Sequence, residues 1–314
     1  MRRVAALLAA ALLGAGLAAC GEGGAEPGAP EGATLVLDFQ PNAVHSGIYA
    51  AQANGYFEDE DVDLTIREPS STADSAKLLN SGRADLAVMD ISDFGIAREH
   101  GFELAAIAAV VQRPLAAVIA RDREELHTPG DLAGKTIGVT GVPSDDAVLD
   151  TVLRSAGVDP SEVHPVTIGF NAVADLAAGK IDAATAFWNA EGIRLRQMGL
   201  AIREFRVDEF GAPRYPELLV VANADTANAS LATGFGKALE RGYDALGRDP
   251  QGALNDLLDA VPGLDRSDQE AQLHALTSSG AFALGDAPAS SQLEGVTIGR
   301  WRRWAHSAGL LEGP

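Results

Sequence analysis

The sequence predicts an α/β fold of two similar lobes, with mostly parallel sheets, a cleft between the lobes and two hinge crossings. Three observations predict it. From Thr34 to about Ala222, short β-branched runs alternate with amphipathic stretches, the spacing of βαβ units. A helix–glycine–aspartate–strand unit occurs twice, 97 residues apart. Beyond Ala222 the pattern turns helical to the end.

The candidate strands are Thr34–Phe39, Asp63–Glu68, Ala84–Asp90, Leu104–Val111, Ala116–Arg121, Thr136–Thr140, Ile181–Phe187 and Leu218–Ala222. The helices between them are Ile48–Gly55, Thr72–Ser81, Asp145–Ala156 and Ala172–Ala178, followed by Leu231–Leu246, Pro250–Ala260, Ser267–Leu276 and Thr297–Ala308. In the repeated unit Gly82 precedes Arg83 and Asp85, and Gly179 precedes Lys180 and Asp182. The glycine suits a left-handed helix cap and the basic residue complements the helix C-terminus. The repeat places lobe one at 34–120 plus 223–314 and lobe two at 121–222. The crossings are then expected near Arg121–Thr128 and Tyr215–Asn223.

The N-terminus reads as an export signal. Arg2 and Arg3 precede the apolar run Val4–Leu17, and Leu17-Ala18-Ala19-Cys20 closes it. This is the positive, apolar and small-residue order of a secretory signal, and the run is short for a membrane span. The four closing residues resemble the bacterial lipobox, so residues 1–19 are expected to be removed and Cys20 to carry lipid. Residues 20–33, rich in Gly and Pro, then read as the lipidated cysteine and a flexible tether. Such a chain is exported and anchored at the outer face of the cytoplasmic membrane or held in the periplasm.

Cys20 is the one cysteine in 314 residues, which excludes an internal disulfide and a cysteine-rich zinc site. The formal charge of −20 argues against nucleic acid, whose binding rests on Lys and Arg. No His pair sits at metal-ligand spacing, and no P-loop, dinucleotide fingerprint or nucleophile elbow occurs. Neither a metal nor a cofactor is expected, and the chain is expected to be a monomer.

Residues just after the carboxyl ends of parallel strands reach a cleft of this kind. They comprise Asp38 to Tyr49, Asp90 to Phe94, Thr140 to Ser144 and Phe187 to Gly192. The reading is a cleft of aromatic faces and neutral hydrogen-bonding groups with few cations. Phe39, Tyr49 and Trp188 suit a flat ring by stacking, and Asn42, Asn189 and Glu191 suit donors and acceptors at a ring edge. Asp145 and Asp146 answer the dipole at a helix start, leaving it ill-suited to sulfate, nitrate or phosphate. Tyr56 and Phe57 are assigned to the core.

Three stretches carry a family resemblance: Asp38-Phe-Gln-Pro-Asn42, His45-Ser-Gly-Ile-Tyr49-Ala-Ala51 and Asn54-Gly-Tyr-Phe-Glu58. They resemble the solute-binding proteins of the thiamine-pyrimidine type, relatives of the fungal pyrimidine synthases. The resemblance covers most of 34–222, most strongly 35–68 and 181–192. It implies a type II periplasmic-binding-protein-like fold that passes its solute to the permease of an ABC transporter. It also implies an aminopyrimidine held by Asn42, Trp188 and Glu191, with His45 and Tyr49 nearby. The family usually has Trp where Phe39 stands, which leaves a flavin-like or other heteroaromatic solute open; a sulfonate- or nitrate-like solute is the further alternative. The synthases add a cysteine-rich iron motif and a pyridoxal-binding lysine. With Cys20 alone the first is missing, so a binder rather than an enzyme is expected.

Overall fold

The computed structural model describes residues 31–70, 74–123, 125–224, 228–282 and 296–312. Cys20, the signal and nearly all of the tether therefore lie outside the described residues. Among the described residues no helix is long and apolar enough to cross a membrane.

Lobe one opens with β1 (Glu31–Val36), α1 (Ser46–Ala53), β2 (Val62–Arg67), α2 (Asp74–Asn80), β3 (Leu86–Asp90), α3 (Ile91–Glu99) and β4 (Leu104–Val111). Lobe two follows as β5 (Ala116–Arg121), β6 (Thr136–Val139), α4 (Pro143–Ser155), β7 (His164–Thr167), α5 (Ala172–Ala178), β8 (Ala183–Phe187), α6 (Glu191–Gln197) and β9 (Ile202–Arg206). The chain returns to lobe one with β10 (Leu218–Asn223), then α7 (Ala229–Arg248), α8 (Pro250–Ala260), α9 (Arg266–Ser278) and α10 (Val296–Ser307).

The two sheets have matching orders, β2-β1-β3-β10-β4 and β7-β6-β8-β5-β9. In the first, β1 pairs parallel with β2 and β3, while β10 runs antiparallel between β3 and β4. In the second, β6 pairs parallel with β7 and β8, while β5 runs antiparallel between β8 and β9. Four strands of each sheet thus run one way, and the reversed strand is the one that enters from a crossing. The sheets are apolar on both faces where helices cover them: β10 is buried along its whole length.

The repeated unit performs the same task in both lobes. Gly82 and Gly179 end α2 and α5 in the left-handed region, at φ 66° and 70°. Asp85 Oδ2 then accepts from Thr34 N at 2.7 Å, and Asp182 Oδ2 from Thr136 N at 3.0 Å. Each aspartate thereby fastens its helix-to-strand turn to the neighbouring parallel strand.

The crossings correct the sequence expectation. Because β5 pairs with β8 and β9, and β10 with β3 and β4, the connections are residues 112–115 and 207–217. Arg121 ends β5 and the described residues up to Thr128 follow it in lobe two, and most of Tyr215–Asn223 is strand β10. An apolar run announces a strand but not its sheet, and both strands at issue reverse direction on entry.

The helical C-terminus packs on lobe one through close α1–α7 contact: a Cβ on Gly242 would collide with the Gly47 carbonyl and Ala51. Phe57 is buried and stacks on Phe235 at 5.1 Å. Tyr56 is half-buried under the Arg241 guanidinium, 4.0 Å from its ring centre, so it roofs the core rather than filling it.

The lobes are closed on one another. Phe39 of lobe one meets Phe170 of lobe two edge-on at 4.7 Å. Ser144 Oγ donates to Asp93 Oδ1 at 3.1 Å, Trp304 Nε1 to Thr151 Oγ1 at 3.2 Å, and Gln197 Nε2 to the Ser267 carbonyl at 2.8 Å.

Candidate ligand-binding cleft

A cavity of about 100 Å³ lies between the closed lobes, the scale of a small ring solute rather than of a few waters. Its walls come from the carboxyl ends of parallel strands in both lobes. β1 delivers Asp38 and Phe39, β3 delivers Asp90 with Asp93 one turn into α3, and β6 delivers Thr140 with Ser144 and Asp145 on α4. The loop after β7 adds Phe170, and β8 adds Phe187 and Glu191.

The lining differs in charge from the neutral group expected. Five carboxylates face the cavity, from Asp38, Asp90, Asp93, Asp145 and Glu191, and no Lys, Arg or His is among the lining residues. The sequence segments contained these acids, but a strand-end aspartate is commonly a turn residue. Their convergence appears only when the lobes meet.

Phe39 and Glu191 line the cavity, as the sequence positions them; the other five expected residues do not. Asn42 caps the 43–45 turn, its Oδ1 accepting from Val44 N at 3.0 Å and its Nδ2 donating to the Gln40 carbonyl at 3.0 Å. His45 is fully buried behind Asp38. Its Nδ1 accepts from Asn42 N at 3.1 Å, so Nε2 carries the proton and donates to Asp38 Oδ1 at 2.9 Å. His45 therefore orients a cavity carboxylate without touching the cavity.

Tyr49 faces a separate surface hollow beside Glu68 and Pro262, and burial pushes its hydroxyl up to about 12. Trp188 wedges under the first crossing: Nε1 donates to the Pro114 carbonyl at 3.0 Å, and the Arg206 guanidinium covers its ring at 4.2 Å. Asn189 is fully enclosed, its amide without a protein partner among the described residues. Trp188 and Asn189 leave the end of β8 and turn back into the core, an orientation that position in sequence does not encode.

The acids are tuned by their surroundings. Burial pushes Glu191 up to about 7 against the Phe187 N–H, which donates to its Oε2 at 3.1 Å. Burial, reinforced by the negative field of Asp90, pushes Asp93 up to about 8. Asp145 is also raised by burial, although Thr140 N and Oγ1 both donate to its Oδ2 at 2.5 Å. It thus belongs to the cavity wall as well as to the start of α4. Asp90 is raised well above the usual carboxylate range by burial and by the neighbouring Glu217.

A stability profile follows. Asp93 and Glu191 keep protons in the folded protein up to about pH 8 and 7, while unfolded carboxyls release theirs near pH 4. Between those limits the native state holds more protons than the unfolded one, so stability falls as pH rises. The ligand-free protein is expected to melt a few degrees lower at pH 8 than at pH 5. Scanning fluorimetry reads this directly, and a melting point that rises with pH would contradict the assignment.

Two lobes, two crossings, and a cavity between the lobes at the strand ends make this a periplasmic-binding-protein fold. An alkanesulfonate-binding protein from Xanthomonas axonopodis, solved with MOPS bound, superposes with a TM-score of 0.70 at 19% identity, covering 90% of this chain and 95% of that one. The chain belongs to the NMT1/THI5-like family, whose model matches residues 42–253. A formylaminopyrimidine-binding protein from Halalkalibacterium halodurans is 34% identical over 227 residues, 71% of this chain and 69% of that protein. A 4-amino-5-hydroxymethyl-2-methylpyrimidine phosphate synthase from Legionella pneumophila is 26% identical over 235 residues, 74% of each chain.

Proposed function

We propose that the protein is the extracytoplasmic solute-binding component of an ABC importer, and that it captures a thiamine-precursor pyrimidine or a similar small heteroaromatic. The observation that carries this reading is the closed cavity, where Phe39, Phe170 and Phe187 surround the space and Glu191 presents a carboxyl to it. Aromatic edges and faces hold a flat ring, and a carboxyl answers the amino and ring-nitrogen edge of an aminopyrimidine. The similarity to a formylaminopyrimidine-binding protein supports the same solute class.

A sulfonate or nitrate fits this lining poorly, since five carboxylates face the cavity and no basic side chain does. A tricyclic flavin is large for about 100 Å³. The synthase reading lacks its iron motif, because Cys20 is the one cysteine of the chain. Lipid on Cys20, with residues 21–30 as tether up to the start of β1, would keep the two lobes beside the permease. Capture follows as lobe closure about 112–115 and 207–217, and the closed form is the one the permease recognises.

Thermal melting with a solute panel tests the reading. Aminopyrimidines are expected to raise the melting point progressively with concentration, as mass action on the native state requires, and sulfonates and nitrate to leave it unchanged. Stabilisation by a sulfonate and not by any pyrimidine would reverse the assignment.

A further inference from the structure

We propose that the solute carries a positive charge, a protonated amine on the pyrimidine, and that Asp93 is the residue that selects it. This rests on the reading of the cavity as an aminopyrimidine site and adds the charge class of its ligand.

The inference starts from what each cavity carboxyl already has. Asp38 takes the His45 Nε2–H at 2.9 Å. Asp90 Oδ1 accepts from Ser92 N at 2.6 Å, and its carboxyl also meets Glu217. Asp145 is held by both donors of Thr140, and Glu191 by the Phe187 N–H. Asp93 has the Ser144 hydroxyl, reaching across from the opposite lobe at 3.1 Å. It also lies in the negative fields of Asp90 and Asp145, and no basic residue lines the cavity with it.

A carboxylate enclosed among other carboxylates requires either a proton or a cation. An anion is excluded on the same ground, and a neutral donor leaves the proton in place. An ammonium group takes the place of the proton and brings three donors, enough to serve Asp93 and its acidic neighbours together. The two ends of the solute are then read by different lobes: the ring edge by Glu191 of lobe two, the amine by Asp93 of lobe one. Because Ser144 joins Asp93 only when the lobes meet, closure and recognition of the charged end are the same event.

Isothermal titration at pH 7 with three ligands of one ring tests this: 4-amino-2-methylpyrimidine bearing a 5-aminomethyl, a 5-hydroxymethyl or a 5-formylaminomethyl group. The aminomethyl compound is expected to bind about tenfold or more tighter than either neutral one, the scale of a charge-assisted hydrogen bond. In Asp93→Asn that preference is expected to shrink to about threefold or less, while Asp93→Glu, which keeps the charge, retains part of it. Equal or tighter binding of the neutral ligands to the wild-type protein overturns the proposal without any variant, as does a preference that survives Asp93→Asn. Binding of the hydroxymethyl compound without a gain for the amine removes the charge assignment alone. Failure of all three ligands removes the pyrimidine reading and this proposal with it.

Discussion

Glu191→Gln is expected to weaken binding of an aminopyrimidine by about 1.5–3 kcal/mol, from roughly tenfold to more than a hundredfold in Kd. Glu191 begins α6 after a three-residue turn from β8, and Phe187 N donates to one of its oxygens at 3.1 Å. That bond fixes the carboxyl toward the cavity, where burial has brought its proton affinity to about pH 7. A carboxyl so poised shares a proton with a ring nitrogen at little cost, giving a charge-assisted contact that an amide of the same shape does not provide. The amide can still accept from Phe187, so the local turn should survive and the loss should appear in binding rather than in folding. Titration calorimetry at pH 7, with melting of the free variant as a control, separates the two. An unchanged affinity would remove Glu191 from the site.

Much of this fold is legible in the sequence. Leu104–Val111 and Ala116–Arg121 announce their strands to the residue because both are unbroken apolar runs. The glycine and aspartate of the repeated turn read correctly because local chemistry fixes them: a left-handed cap and a carboxylate fastening the next strand. β7 escaped notice since His164–Thr167 is exposed throughout and contains Pro165, as an edge strand permits. β9, Ile-Arg-Glu-Phe-Arg, is the opposite edge, and its charges mask the alternation. α3 carries no sequence mark because it starts directly at the end of β3, with no loop to show the change of period, and α6 is only seven residues long after a three-residue turn.

The site was less legible than the fold for a related reason. Glu191 and Phe39 line the cavity from positions after a parallel strand, and such a position is a sequence property. Which way a side chain turns from that position is not, and so Trp188, whose position suits a stacking face, instead supports a crossing. Asp93 and Ser144 lie far apart in sequence on different lobes, and neither carries a local mark of function. Their meeting depends on where the crossings lie, and that depends on which sheet each crossing strand joins. A pairing of that kind is decided by global topology, which an isolated apolar run does not contain.

Those crossings supply the largest expected loss of stability. Glu217→Ala is expected to destabilise the protein by about 2–5 kcal/mol, a large part of the ~5–15 kcal/mol available to a folded domain. Glu217 ends the second crossing and is 1% exposed. Its Oε2 accepts from Leu115 N at 2.5 Å and Ala116 N at 3.2 Å, the last residue of the first crossing and the first of β5. One carboxyl group therefore ties both connections between the lobes, and it lies beside Asp90 at the carboxyl end of β3, whose proton affinity it raises. Alanine leaves two buried N–H groups without an acceptor and Asp90 without its partner; in the enclosed crossing no neighbouring side chain replaces them. Glu217→Gln keeps an acceptor for the two amides and offers Asp90 a donor, so it should recover most of the loss. Urea unfolding of the two variants beside the wild type measures both effects. An alanine variant within about 0.5 kcal/mol of wild type, inside the range of an ordinary surface substitution, would mean that the crossings are held by their own backbone rather than by this carboxyl group. A large loss in alanine with recovery in glutamine would place the mechanical centre of the hinge at Glu217, one hydrogen-bonded carboxyl away from the cavity wall.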